Sequence, residues 1–379
     1  MSTLKAINVQ HPSASTTNIV NDASGNVAVG NNLTVAGTST ISGNETVTGT
    51  LVMGSSFKRN RIINGNMVVD QRNAGAQISA ANLTSGTYMV DRFQYFASQA
   101  SKFTAQQNAG AVTPPTGFSN YLGMTVASAV SVGASDYFTI SEAIEGFNFA
   151  DLGFGTASAK TVTLSFAVYS SLTGTFGGAL KNFALTRSYP FSYTIPTANT
   201  WTTISVTIAG DTSGTWVGAT NAGAAIVQFG LGLGSSNSAT AGAWAAGNYS
   251  SATGAVSVVG TSGATFYVTG VQLEVGTKAT PYEMQIYSDQ LAQCQRYFFV
   301  TANNITYQAY TTAGQNAYYC LFFPVQMRTA PTISSNITST NCTSTPSSTA
   351  QNIVISVSIA STTAFLSNYL SGNTASAEL

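Results

Sequence analysis

Apolar and polar residues alternate along most of this chain. Val162, Leu164, Phe166 and Val168 occupy every second position, as do Ile204, Val206 and Ile208, and again Val227, Phe229, Leu231 and Leu233. That is the period of a strand with one buried face. Gly, Asn, Ser and Thr fill the intervals, and no helical pattern separates the strands. The stretch 93–275 therefore predicts an antiparallel β-sandwich of jelly-roll size rather than a parallel sheet with crossover helices. Val271, Leu273 and Val275 form its last strand before Gly276. The rhythm then changes once. Ser288 as N-cap, Asp289 in the first turn, and Leu291, Cys294 and Phe298 at helical spacing predict a short amphipathic helix near 288–296. Strand patterns resume over 318–325 and 353–359, a second, smaller β unit divided by the Ser/Thr/Asn-rich stretch 332–350.

The first 24 residues are polar and turn-rich. From Gly25 the sequence becomes repetitive, with glycines at 25, 30, 37, 43, 49 and 54 and apolar Val35, Ile41, Val47 and Met53 six residues apart. One apolar residue per six cannot build a core within one chain, and an isolated repeat leaves open strand edges. Three chains around an axis solve both problems. The expectation is an all-β homotrimer: an attachment segment over 1–24, a trimeric β-repeat shaft over 25–56, a jelly-roll β-sandwich over 57–285, and a short helix with a C-terminal β domain over 286–379.

Composition narrows the chemistry. Basic and acidic residues balance at 13 each, only 7% of the chain is charged, and Gly reaches 35. No basic surface for nucleic acid is available, and no apolar run approaches the roughly 18 residues of a membrane span. The start, MSTLKAINVQ, lacks the pattern of a secretory signal. One histidine, His11, and three widely spaced cysteines, Cys294, Cys320 and Cys342, give no metal-site, cofactor or disulfide framework. Gly230-Leu-Gly-Leu-Gly lies within a strand pattern and is no phosphate loop.

Catalysis would have to rest on carboxylates such as Glu142, Glu145, Asp151 and Asp211. Glu142 and Glu145 have opposite strand parity, and Asp211 sits in a Gly-Asp-Thr-Ser-Gly turn that suits an Asx-turn; no enzyme is expected. Sugar binding needs no net charge, because aromatic faces cover a pyranose while neutral amides and hydroxyls bond its hydroxyl groups. Trp244 and Tyr249, in the Gly/Ala/Asn-rich segment 234–251, and then Trp216 are the predicted glycan residues. Trp201 leads into an alternating strand and is expected in the core.

Seven of the 26 charged side chains (13 basic, 13 acidic) fall in 57–92: Lys58, Arg59, Arg61, Asp70, Arg72, Asp91 and Arg92. They are expected to pin the first strands to each other or across subunits. They also lie within or beside three motifs, Asn60-Arg-Ile-Ile-Asn-Gly-Asn66, Asp70-Gln-Arg-Asn73 and Val90-Asp-Arg-Phe93. Together with Thr163-Leu-Ser-Phe166, Gly210-Asp-Thr-Ser-Gly-Thr-Trp216, Gly270-Val-Gln-Leu-Glu-Val-Gly276, Ala279-Thr-Pro-Tyr-Glu283 and Cys294-Gln-Arg-Tyr297, they resemble the signature of a module recurrent in bacteriophage tail-fibre proteins. The resemblance covers roughly 57–300, with Phe93, Ala167 and Gln285 as departures from the usual Trp, Trp and Arg. It implies a jelly roll similar to carbohydrate-binding modules, carried on a trimeric virion fibre. Such a fibre attaches to tail or head proteins by its N-terminal end and recognises a host surface polysaccharide. A structural fibre or connector without receptor binding is the alternative, and a polysaccharide depolymerase the third reading.

Overall fold

A computed structural model describes residues 8–9, 19–21, 27–29, 58–301, 305–311, 315–340, 343–358 and 364–379. The chain divides into two compact units, 1–54 and 55–379. In the first, Asn8–Val9, Ile19–Asn21 and Val27–Val29 form an antiparallel meander. Ile19 pairs with Val9 on one side and Val29 on the other. Val35, Ile41, Val47 and Met53, the expected shaft core, lie outside the described residues.

The second unit is built on two antiparallel sheets packed face to face. The seven-stranded sheet runs in the order Ala245–Ala246, Arg187–Ile195, Gly174–Asn182, Gly223–Leu233, Tyr137–Glu145, Phe93–Ala97, Thr87–Val90. The five-stranded sheet runs Thr202–Ile208, Val162–Ser170, Thr265–Val275, Leu122–Val126, Phe103–Gln107. The expected alternation decides the faces. Phe166, Val168, Val227, Phe229 and Phe266 all enter one core, where Phe166 meets Phe229 at 4.9 Å and Tyr193 at 5.1 Å between ring centroids. Each such buried side chain contributes about 1.5–3 kcal/mol.

Beyond the sandwich, the helix Tyr287–Gln295 begins just before the expected position. Its N-cap is Ile286, without a side-chain hydrogen bond, so Ser288 falls inside the first turn instead of capping it. Gln290 and Cys294 are its buried residues, and Leu291 is only half-buried. Of the predicted stripe, Cys294 and Phe298 are buried as expected, and Gln290 takes the place of Leu291. The C-terminal strand Ala364–Ser376 pairs with Phe298–Val300 and Ile305–Thr311 on one side and Thr332–Thr340 on the other. A further sheet places Asn352–Ser358 between Asn316–Phe322 and Thr343–Ser348. Phe323, Met327, Ile353, Ile355 and Val357 give this region its own small core.

Candidate functional site

The motifs of the resemblance gather at one end of the sandwich, and their job there is closure. Arg61 N donates to Leu273 O and Val271 N to Gly65 O, both at 2.9 Å, so the opening segment is laced to the last strand. Gly65 is obligatory, because a Cβ there would lie 2.1 Å from Val271 O. Asn60 Oδ1 accepts from Ile62 N and Leu273 N, while Glu283 accepts from Lys58 N and Asn60 N. The buried Glu274 carboxylate accepts from Thr280 N, Thr280 Oγ1 and Gln272 Nε2.

Arg92 organises the neighbouring part of this closure. It lies in the two-residue turn between Thr87–Val90 and Phe93–Ala97 with φ of 72°, a strained value for a non-glycine residue. Its guanidinium pairs with Glu378, donates to Ala143 O and sits 3.7 Å from the Tyr297 ring centroid. Arg72 joins Asp91 at 3.4 Å and Glu378 at 2.8 Å. Arg296 makes two hydrogen bonds to Glu145, which also accepts from Tyr297 Oη. Burial raises the Glu145 carboxyl, but the bonds from Arg296 and Tyr297 outweigh it and hold the group below its ordinary range. For Glu142, burial dominates over the nearby Arg92 and pushes the carboxyl up to about 8. The charges expected to pin the first strands do so within one chain, and they also reach the C-terminal strand.

Glu142 and Glu145 thus serve different partners, Ile63 N and Arg296 respectively. Asp211 makes the expected Asx-type bond from Ser213 N, and beyond it a two-bond pair with Arg187 at 2.8 and 2.7 Å. Asp151 pairs with Arg61 on the surface. Among the described residues no group of three His, Cys, Asp or Glu side chains is placed to hold a metal ion, and no helix is long and apolar enough to cross a membrane. Cys294 is buried with its thiol raised by desolvation, Cys320 is exposed, and both are unpaired. Cys342 lies outside the described residues.

The structure brings Trp216 and Trp244 together, edge to face at 5.6 Å and 90°. Phe149 stacks on Trp216 at 5.4 Å, Phe154 abuts both indoles, and Tyr189 abuts Trp244. Trp244 Nε1 donates to Ala209 O at 2.7 Å; Trp216 Nε1 donates to Asp211 Oδ2 and Ser213 O. Ala209 directly follows the edge strand Thr202–Ile208, and Trp244 precedes the edge strand Ala245–Ala246. The pair therefore seals the side of the sandwich where the two sheets have open edges. Trp201 departs from its expected place. It is half-buried outside the main core, packed with Tyr121 and Tyr169, and its Nε1 donates to Thr113 O. Tyr169 and Tyr267, stacked at 5.2 Å and 5°, occupy the outward positions of their strands, a place the alternation already reserved for non-core residues.

Tyr249 is separate from the tryptophans and leads to a different feature. Its neighbours Asn248 and Ser250 line a cleft of about 240 Å³ on the outer face of the seven-stranded sheet, together with Phe96, Tyr137, Thr139, Lys181, Leu185, Ile226, Gln228 and Asn237. A second cleft of about 210 Å³ shares Phe96, Leu185 and Ile226 as a common wall and continues past Ser141 and Gln94 to Tyr88. The pair reaches the lower part of the roughly 300–1,000 Å³ range of ligand clefts. Register explains the lining. Gln228, Ser141, Gln94 and Tyr88 follow one another across four strands on the outward face, a row of amides and hydroxyls. The flap carrying Ser251 lies close over this face because Gly177 and Gly230 lack side chains; a Cβ at either would come within 2.8 Å of Ser251 Oγ.

Two groups in the cleft have unspent bonding capacity. Gln228 Nε2 donates to Ser141 Oγ at 2.7 Å, but its buried Oε1 has no partner. Lys181 is 2% exposed and donates to Asn248 Oδ1 at 2.7 Å and Ser250 Oγ at 2.9 Å. An ammonium has a third N–H to give. No described carboxylate pairs with it, and burial pushes its pKa down to about 7. Neither residue stood out in the sequence, where each is one polar position in an alternating strand.

No protein-family profile matches this chain, and no curated protein matches it in sequence. Among solved structures, it is similar to the enzymatically active domain of tailspike protein 4 of bacteriophage CBA120, at 12% identity over 57% of this chain and 22% of that one, with a TM-score of 0.31. It is similar to a family 11 carbohydrate-binding module from Clostridium thermocellum in complex with a beta-1,3-1,4-mixed-linked tetrasaccharide, at 15% identity over 50% and 92% of the two chains, TM-score 0.27. A third is a putative sugar binding protein from Bacteroides thetaiotaomicron, at 12% identity over 57% and 100%, TM-score 0.31.

Proposed function

We propose that the chain is a non-enzymatic virion fibre protein whose sandwich binds a surface glycan of the host, and whose N-terminal end attaches to tail or head proteins. The observation that carries the glycan reading is the cleft on the seven-stranded sheet. Its apolar wall of Phe96, Leu185 and Ile226 faces a row of neutral hydrogen-bonding side chains, and Gln228 Oε1 is buried there without a partner. That combination suits a sugar ring, which is apolar on its faces and rich in hydroxyls at its rim. The fibre reading rests on the resemblance of the closure motifs, and the trimer on the six-residue spacing of Val35, Ile41, Val47 and Met53. Three cleft copies on one shaft raise weak single-site binding by avidity.

Binding of the full chain to a glycan array tests the function, with Gln228→Ala expected to lose the signal while melting like the parent. Light scattering should return the mass of three chains. A second reading, a connector that binds only other virion proteins, is favoured by the exposed Tyr318 and Phe322 on one face of the C-terminal sheet, 63% and 69% accessible. An empty array together with capture of purified virion proteins would select it.

A further inference from the structure

We infer that the cleft selects an acidic saccharide, one carrying a single negative charge on the sugar that meets Lys181; this rests on the glycan reading of the same cleft. The argument begins with the placement of the lysine. Lys181 is outward-facing on a central strand, next to Ile226 and Ser188 in register, where a neutral residue would complete the sheet without loss. A cation there loses hydration, and in this protein the loss is not offset by any described counter-ion. Its two acceptors, Asn248 Oδ1 and Ser250 Oγ, are neutral. Burying an unpaired charge is among the more expensive arrangements a fold can contain.

The surroundings also exclude an internal solution. Tyr137 is the only other titratable side chain lining the cleft. In the adjoining cleft Arg92 is already committed to Glu378 and Ala143 O, Tyr88 Oη donates to the main-chain oxygen of Leu379, and no ion pair among the described residues joins that cleft to Lys181. In its protonated form, which an anion would favour, Lys181 therefore has one N–H and one positive charge to offer a ligand, and Gln228 Oε1 has two lone pairs for its hydroxyl groups. A uronic acid or a sulfate ester supplies the matching single anion, and its ring hydroxyls supply donors for Gln228. A dianionic phosphate monoester would leave one charge unmatched.

The experiment uses the full chain and its Lys181→Met and Lys181→Arg variants. They are presented with a panel of uronate-containing bacterial polysaccharides, each paired with its carboxyl-reduced, neutral form, and with sulfated polymers as a separate arm. The parent should bind at least one acidic polymer roughly tenfold or more tighter than its neutral counterpart, as a desolvated charge-assisted bond allows. Lys181→Met should erase that difference and Lys181→Arg should retain part of it. Preference for the sulfated arm also supports the inference and identifies the anion as an ester. Equal binding of acidic and reduced forms by the parent overturns the charge selection and leaves a neutral-sugar cleft. An acid preference that survives in Lys181→Met overturns it by placing charge recognition elsewhere. If no polymer in any arm is bound, the glycan reading and this inference fall together.

Discussion

Arg92 and Lys181 are both buried cations of the same sandwich, 1% and 2% exposed, yet their settings are opposites. Around Arg92 stand Glu378, the Ala143 carbonyl and the face of Tyr297, and its guanidinium is held charged, raised by Glu378 against the effect of burial. Around Lys181 stand only neutral acceptors, and its ammonium is destabilised. A buried charge with a partner fixes geometry, since it tolerates one arrangement only. Without a partner it fixes nothing and weakens the fold. The first kind therefore explains how the module closes, and the second points to what the module meets.

The largest expected effect comes from breaking the paired side of this contrast. Arg92→Ala takes one of its two cations from the nearly buried Glu378 and empties the space between Ala143 O and the Tyr297 ring, so it should destabilise by about 3–5 kcal/mol in denaturant unfolding. A loss below about 1 kcal/mol would mean that the closure is held by its backbone bonds alone. Trp244→Ala comes next, at about 2–3 kcal/mol for a half-buried indole with a satisfied N–H. Because the tryptophan pair seals the edge of the sandwich, this variant should keep its glycan affinity once folded. A folded Trp244→Ala protein that no longer binds would move the recognition surface from the cleft to the aromatic cluster.

Why the first region was legible in the sequence and the second was not follows from the same geometry. Alternation sufficed for strands such as Val162–Ser170 and Gly223–Leu233, because one buried face imposes a period of two on any sequence. The closure motifs were legible as a resemblance, although their role required the pairing of Arg61 with Leu273 and Gly65 with Val271, more than 200 positions apart. The cleft had no such local signature. Lys181, Gln228, Ser141 and Ser250 come from separate segments and converge only through antiparallel register. The tryptophans drew notice by residue type, but type says nothing of Phe149 and Phe154, which cover them. The helix is a similar case: spacing indicated Leu291, whereas Gln290, one position earlier, is the buried residue.

Lys181→Met sharpens the unpaired side and should stabilise the protein by about 1–2 kcal/mol. In the unfolded chain the amine titrates near its ordinary value of 10.5, and in the folded protein near about 7. The unfolded state thus holds more protons between those values, and the parent gains stability as pH rises through that window. The advantage of Lys181→Met should be complete below about pH 7 and should fade toward 10.5. Melting curves of both proteins across that range decide it. A constant difference at every pH would show that packing, not charge, separates them.

The smallest effect is expected where a charge is paired but not buried, which completes the comparison. Asp151 lies 2.8 Å from Arg61 and 3.9 Å from Lys160, with its side chain 49% exposed. By distance alone this ion pair resembles Arg72 and Glu378, also at 2.8 Å. If pairing governed stability, Asp151→Asn and Arg72→Ala would cost similar amounts. Water changes the expectation. Each exposed partner keeps most of its hydration, salt screens the attraction, and ordering two long side chains opposes it. Asp151→Asn should therefore change stability by less than about 0.5 kcal/mol, whereas Arg72→Ala takes the cation from the buried Asp91 and leaves Glu378 to Arg92 alone. Unfolding of the two variants at low and high salt provides the measurement. A loss above about 1.5 kcal/mol for Asp151→Asn, falling with added salt, would show that the sandwich depends on its surface charges as much as on its buried ones, and the distinction drawn between Arg92 and Lys181 would lose its basis in burial.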